Sequence, residues 1–285
     1  MIKYYFALIK PGIIIANLFS VLSGFCFASG NCVNYYTLLF VLLATGCIIA
    51  SGCVFNNIID MDIDKKMFRT KGRVLPRGLL GLTCVKIYAM LLFCIGCSIF
   101  LLQLNFLSFF LCILGFFFYV FVYSLYFKRK SKHAILLGSI AGAIPPVVGY
   151  CTIINFIDLK FILLFIIFAL WQIPHSYSIL ILYSRDYQRA NIPTFVVLHG
   201  VLKTLKLIIL SVIALFIFTC LFYILHFINL ISFIMLFILH VIWLFLSISY
   251  YFFTNYIDLS RLLFLSSIIF IFLFNMSLII CSVSC

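Results

Sequence analysis

Nine apolar stretches run along the chain, each about 20 residues long, which is the length an α-helix needs to cross a bilayer. Short polar breaks place them at 11–29, 36–55, 81–102, 105–126, 134–154, 159–182, 204–225, 229–252 and 262–281. The stretches are rich in Val, Ile and Phe but show no period-two alternation, so they do not read as barrel strands. Lipid offers backbone polar groups no partner, and helices satisfy their own. The pattern predicts an all-α polytopic membrane protein with about nine transmembrane helices, folded as a single domain over residues 1–285.

The breaks alternate in kind. Those at 31–35, 103–105, 155–158 and 226–229 are short and hold no Lys or Arg. The other set holds every Lys and Arg except Lys86, inside the third stretch, and Lys160. Excess Lys and Arg marks cytoplasmic loops. The alternation therefore puts the N-terminus and the polar loops in the cytoplasm and the C-terminus outside, consistent with the cell inner membrane. The apolar stretch after Lys3 and Lys10 has no A-x-A cleavage site, so it is expected to remain as the first span.

Composition narrows the class. Apolar residues make up 67% and charged residues 9%, against roughly 45–50% and 25% in soluble domains. A soluble domain, a disordered chain and a collagen-like fibre are excluded. The net charge of +13 would point to nucleic acid in a soluble protein. Here orientation accounts for it, and no nucleic-acid partner is expected. Most of the 12 cysteines lie in apolar runs, where Cys behaves as a small hydrophobe. Cys94 and Cys97 form a C-x-x-C, but within a span and without a second pair, so zinc or redox chemistry is not read from them.

The acidic residues carry the chemistry. There is no Glu, and three of the six Asp, namely Asp60, Asp62 and Asp64, fall within five residues. Carboxylates at the end of an apolar helix are costly and mark function. Asn56, Asp60 and Asp64 stand at i, i+4 and i+8, about 40° apart per step at 3.6 residues per turn, while Asp62 points the other way. Such a row needs a counter-charge. Mg²⁺ takes oxygen ligands from one or two carboxylates and leaves the rest to phosphate and water. Lys65, Lys66, Arg69, Lys71 and Arg73 follow directly, which suits a diphosphate substrate. The second polar loop holds Trp171–Tyr177, with Pro174 expected to kink the helix and His175 at the kink, and then Tyr183–Gln188 with Arg185 and Asp186. Lys128–His133 reads as an orientation signal, and Gly138–Gly149 with Pro145 and Pro146 as close packing and a broken helix. Asp158 and Asp258 are read as solvated at span edges, and His199, His226 and His240 as structural.

Residues 56–71, from Asn56-Asn57-Ile58-Ile59-Asp60 through Asp62, Asp64, Lys65, Lys66, Met67 and Arg69 to Lys71, resemble the first Asp-rich motif of the UbiA-type intramembrane prenyltransferases. Within that superfamily the version is similar to that of the protohaem IX farnesyltransferases, or haem O synthases. Lys10-Pro11-Gly12 with Asn17-Leu18, Lys128–Lys132 with the Gly138–Pro146 stretch, Trp171–Tyr177, and Asp186-Tyr187-Gln188 with Ala190–Pro193 resemble further motifs, so the likeness covers nearly the whole chain.

The resemblance implies nine helices around a central cavity open to lipid, with the two polar motifs closing it. It also implies Mg²⁺-dependent joining of farnesyl diphosphate to haem b, with water added, to give haem O. Asn56, Asp60 and Asp64 would hold the metal and Asp186 would complete the site across the cavity. Lys65, Arg69, Lys71, Arg73, Lys128, Arg129 and Arg185 would face diphosphate. His175 and Tyr177 are haem or catalytic candidates. For His175 the options are haem-iron ligand, hydrogen-bond donor to diphosphate, base for the attacking water, or packed residue. Contact with haem A synthase or a terminal-oxidase assembly pathway is a further expectation. The second motif departs from most of the superfamily, keeping only Asp186 where other members have a carboxylate cluster. A prenyltransferase of quinone or chlorophyll precursors would need that cluster. A transporter would place charge in mid-membrane.

Overall fold

The computed structural model describes residues 1–249 and 256–283. α1 (Ile2–Leu8) leads through Lys10 into α2 (Pro11–Ser29), followed by α3 (Tyr35–Ile59) and the short α4 (Met61–Lys66). Next come α5 (Leu82–Gln103) and α6 (Phe106–Phe117), which continues through a π-helical segment, Phe118–Phe127, into α7 (Lys128–Lys130). The remainder is α8 (Ala134–Ile153), α9 (Leu159–Leu182), α10 (Ser184–Arg189), α11 (Phe195–His199), α12 (Val201–Ile224), α13 (Leu230–Ser249) and α14 (Tyr256–Val283). Among the described residues nine helices are long and apolar enough to cross a membrane, counting Phe106–Lys130 as one, as in a multi-pass membrane protein.

Most expected span ends agree with the helices to within a few residues. The eighth span's expected end at 252 lies outside the described residues. The last helix begins before the expected 262, and Asp258 and Arg261 pair within its first turns. Polar residues of the cation-poor breaks serve as N-caps. Asn34 accepts from Thr37 N, Asn105 from Ser108 N and Asp158 from Phe161 N. Asp158 also accepts from the Tyr150 hydroxyl at 2.6 Å, so it is a structural cap rather than merely solvated.

α8 is the most enclosed span, with 67% of its apolar window buried. Pro145 and Pro146 lie inside its helical run, as Pro174 lies inside α9. The break expected in α8 is absent. Packed neighbours make such prolines tolerable inside membrane helices. α2 crosses α8 at backbone contact. A methyl group on Gly24 would strike the Pro146 carbonyl, and one on Gly149 the Val21 carbonyl. Small residues at helix crossings provide the close approach that drives association in lipid.

Gly149→Ala is accordingly expected to destabilise the protein by about 3 kcal/mol, the upper range for overpacking, because backbone on both sides must move. Gly46→Ala, whose added carbon meets only Leu18 side-chain atoms at 3.6 Å or more, should leave the unfolding temperature in detergent nearly unchanged. Identical unfolding of the two variants would contradict the close crossing.

Candidate active site

α3 ends at Ile59, and Asp60 leaves helical geometry with φ −86° and ψ 2°. The period nevertheless carries across into α4, because Asp60 N donates to Asn56 O (2.9 Å) and Asp64 N donates to Asp60 O (2.8 Å). Asn56, Asp60 and Asp64 therefore share one inward face and are 5%, 2% and 3% exposed. Asp62 points to solvent and takes both guanidinium nitrogens of Arg129, at 2.8 and 2.7 Å. That hydrogen bonding holds the Asp62 carboxyl down to about 2.

Each inward donor meets a cation. Lys10 Nζ donates to Asn56 Oδ1 at 2.6 Å, Lys128 Nζ to Asp60 Oδ2 at 2.5 Å, and Arg73 to Asp64 Oδ2 at 2.8 Å. The Asn56 amide donates to Asp60 Oδ2 (2.9 Å) and Ser124 Oγ (3.0 Å). Asp60 Oδ1 is buried without a protein partner. A buried acceptor left unpaired is costly, and on a face whose other donors are all oxygens it is the kind of ligand Mg²⁺ prefers. These residues fit a hard divalent cation.

Two members of this cluster were not expected from the sequence. Lys10 adopts φ 54° just before the proline that starts α2, and this turn folds it onto Asn56. Burial pushes its ammonium down to about 8, with Arg73 and Lys128 adding to the effect. The one visible signal was a Lys directly before a helix-initiating Pro. Ser124 lies in the π segment, where its hydroxyl donates to Tyr119 O five residues back. π-helical turns inside α-helices recur at functional sites. This one ends at Lys128, which reaches Asp60.

The second motif arrives differently from expectation. Asp186, 8% exposed, accepts from Phe68 N through Oδ1 (3.2 Å) and from Arg69 N through Oδ2 (3.1 Å). Arg189 approaches Oδ1 at 3.5 Å. Both oxygens thus clamp the loop after α4. Among the described residues no three of His, Cys, Asp and Glu gather as metal ligands. Of the cations expected to face diphosphate, only Arg73 and Lys128 join the inward cluster. Arg129 lies on the solvent side with Asp62. The Arg69 guanidinium covers the Tyr183 ring at 4.4 Å, Lys71 sits 3.9 Å from the Phe68 ring, and Lys65 and Arg185 are exposed.

His175 stacks on Trp171, with ring centroids 4.8 Å apart, and its Nδ1 lies 2.8 Å from Ser267 Oγ on α14. The Ser267 hydroxyl gives its proton to Phe264 O. The Ser267 hydroxyl thus fixes the ring through Nδ1 and leaves Nε2 without a bond to the protein among the described residues. Nε2 is the ring atom left for a haem iron, a diphosphate oxygen or a water. Tyr177 is buried in the core, edge-on to Phe195.

A small pocket bounded by Tyr123, Lys128, Leu180, Tyr187 and Thr194 lies beside the ion pair of Lys128 and Asp60. A larger one, about 600 Å³, opens at the opposite end near Cys26, Asn31 and Asn34.

Residues 17–279 match the UbiA prenyltransferase family. Protoheme IX farnesyltransferase 2 of Pseudomonas putida is 47% identical over 213 residues, covering 75% of this chain and 72% of that protein. Protoheme IX farnesyltransferase of Pectobacterium carotovorum is 49% identical over 201 residues, covering 70% and 68%. Two solved structures share the fold. Digeranylgeranylglyceryl phosphate synthase superposes with a TM-score of 0.80 at 18% identity, covering 98% of both chains. A UbiA homologue from Archaeoglobus fulgidus bound to DMAPP and Mg²⁺ gives 0.64 at 15% identity, covering 97% and 99%. An all-helical membrane bundle, a buried Asn-Asp-Asp face at one end and near-half identity to curated members together assign the chain to the UbiA prenyltransferase family.

Proposed function

We propose that this enzyme transfers the farnesyl group of farnesyl diphosphate to a vinyl group of protohaem IX (haem b), adds water, and releases haem O and diphosphate. The observation that carries this reading is the buried row of Asn56, Asp60 and Asp64 with three cations upon it, in a chain nearly half identical to protoheme IX farnesyltransferases. The same reading places the enzyme in the cell inner membrane, with the N-terminus and motif loops cytoplasmic and the C-terminus external. Its product would pass to haem A synthase or a terminal-oxidase assembly pathway.

Asn56, Asp60 and Asp64 would hold Mg²⁺, which when bound neutralises diphosphate charge and eases its departure. Lys10, Arg73 and Lys128 stabilise the leaving diphosphate as negative charge builds on it. Arg69 and Lys71, held against the Tyr183 and Phe68 rings, attract the incoming anion. The bond between the allylic carbon and diphosphate oxygen breaks with its electrons going to oxygen. The vinyl group supplies the pair for the new carbon–carbon bond, and the charge moves to the carbon beside the porphyrin ring. Water adds there and loses one proton. The apolar walls exclude water from the allylic cation before transfer. Incubating the purified protein with haem b, farnesyl diphosphate and Mg²⁺ should yield a haem heavier by one farnesyl group and one hydroxyl group. Unchanged haem would refute the activity.

His175 is proposed to ligate haem iron through Nε2, with Ser267 fixing the ring as outer partners of metal-bound histidines do. His175→Ala is expected to weaken haem binding by at least ~10-fold and shift the Soret band, leaving farnesyl diphosphate affinity unchanged. A slower rate with both affinities kept would instead make His175 the base. Wild-type behaviour in all three measurements would leave it a packing residue.

A further inference from the structure

Three cations and three oxygen donors pair one to one in the inward cluster. Lys10 holds Asn56 Oδ1, Lys128 holds Asp60 Oδ2 and Arg73 holds Asp64 Oδ2. The donors are those assigned to the metal, so protein cations engage each of them. We propose that Lys10, Arg73 and Lys128 are exchangeable counter-ions, holding the metal's donors until a divalent cation and diphosphate arrive together, then moving onto the diphosphate oxygens. This rests on the metal-binding reading of Asn56, Asp60 and Asp64.

Charge and burial argue for exchange. The Asp60 and Asp64 side chains are 2% and 4% exposed, and those of Lys128 and Arg73 are 16% and 34% exposed. Two carboxylates against three cations leave one excess positive charge. A divalent cation entering alone would add two more, and would push buried ammonium groups off their partners with no anion to receive them. A buried charge stripped of its partner is strongly destabilising. A diphosphate ester carries about three negative charges at neutral pH, which balances the set once the metal is included. Metal and diphosphate should therefore bind with strong mutual support.

Placement makes the exchange mechanically simple. Lys10 lies at the joint between α1 and α2, Arg73 in the loop after α4, and Lys128 at the end of the π segment. Each is a long side chain at an element boundary and can swing without shifting a helix. The unpartnered Asp60 Oδ1 gives the metal a first foothold before any ion pair opens.

Mn²⁺ binding to the detergent-solubilised full chain, followed by electron paramagnetic resonance with and without inorganic diphosphate, tests this. Free Mn²⁺ is corrected for its complex with diphosphate in solution. Diphosphate is expected to tighten Mn²⁺ binding by at least ~10-fold, within the usual range of coupling between sites. Lys10→Met should bind Mn²⁺ more tightly than wild type without diphosphate, yet bind diphosphate more weakly, so the coupling shrinks from both sides. Lys10→Arg keeps the charge and should keep the coupling. Arg73→Met repeats the test at the most exposed pair and should act as Lys10→Met does. Equal Mn²⁺ affinity with and without diphosphate, or unchanged coupling in both Met variants, would overturn the exchange while leaving the metal site in place. No Mn²⁺ binding in either condition would overturn the metal reading itself.

Discussion

Asp60→Asn is expected to cut farnesyl transfer on the order of 10³-fold, the scale of losing one group that stabilises developing charge, while the protein still folds. Asparagine keeps the shape of Asp60 and an oxygen for Lys128, but removes the anion and one of the oxygens a metal would use. Asp64→Asn should behave alike. Asp62→Asn should lie within about threefold of wild type, because its partner Arg129 is on the solvent side and exposed ion pairs are worth about 0–1 kcal/mol. Alanine at position 60 is a poorer probe. It would strand Lys128, whose side chain is 16% exposed, at a cost of about 3–5 kcal/mol, and confuse lost fold with lost chemistry. Product mass measured alongside unfolding temperature separates the two. Equal losses at 60, 62 and 64 would mean that the two faces of this segment are not distinct.

The inward face of Asn56, Asp60 and Asp64 was legible in the sequence because helical period alone decides it. It survived the bend at Asp60, since the hydrogen bonds into and out of that residue keep their four-residue spacing. The nine spans were legible because bilayer thickness fixes their length. The π segment was not. Residues 118–127 are apolar on nearly every side, so a change of backbone register leaves no mark in the hydrophobic pattern. Lys10 and Asp186 were assigned incompletely for a related reason. Their partners are an amide oxygen 46 residues away and two backbone N–H groups more than a hundred residues away. Charge suggested that they matter, but tertiary contact decides what they touch. Pro145 and Pro146 misled in the opposite direction, as local rules forecast a break that packing against neighbouring helices overrides.

Chelation is expected to abolish turnover completely, and Mg²⁺ or Mn²⁺ to restore it. The proposed donors are an amide oxygen and two carboxylates, a set suited to Mg²⁺ sharing its remaining positions with phosphate and water. Ca²⁺ takes six to eight oxygens at longer distances, more than one helical face can present, and should restore little. Zn²⁺ favours tetrahedral sulfur and nitrogen ligands, and among the described residues no three of His, Cys, Asp and Glu converge to supply them. It should restore less still. The unfolding temperature should not fall when EDTA is added, because Lys10, Lys128 and Arg73 themselves engage the buried donors. A metal needed to hold the fold together would lower that temperature and the activity in parallel. Full turnover in EDTA would show that Asp60 and Asp64 serve as proton carriers or ion-pair partners, with no metal in the reaction.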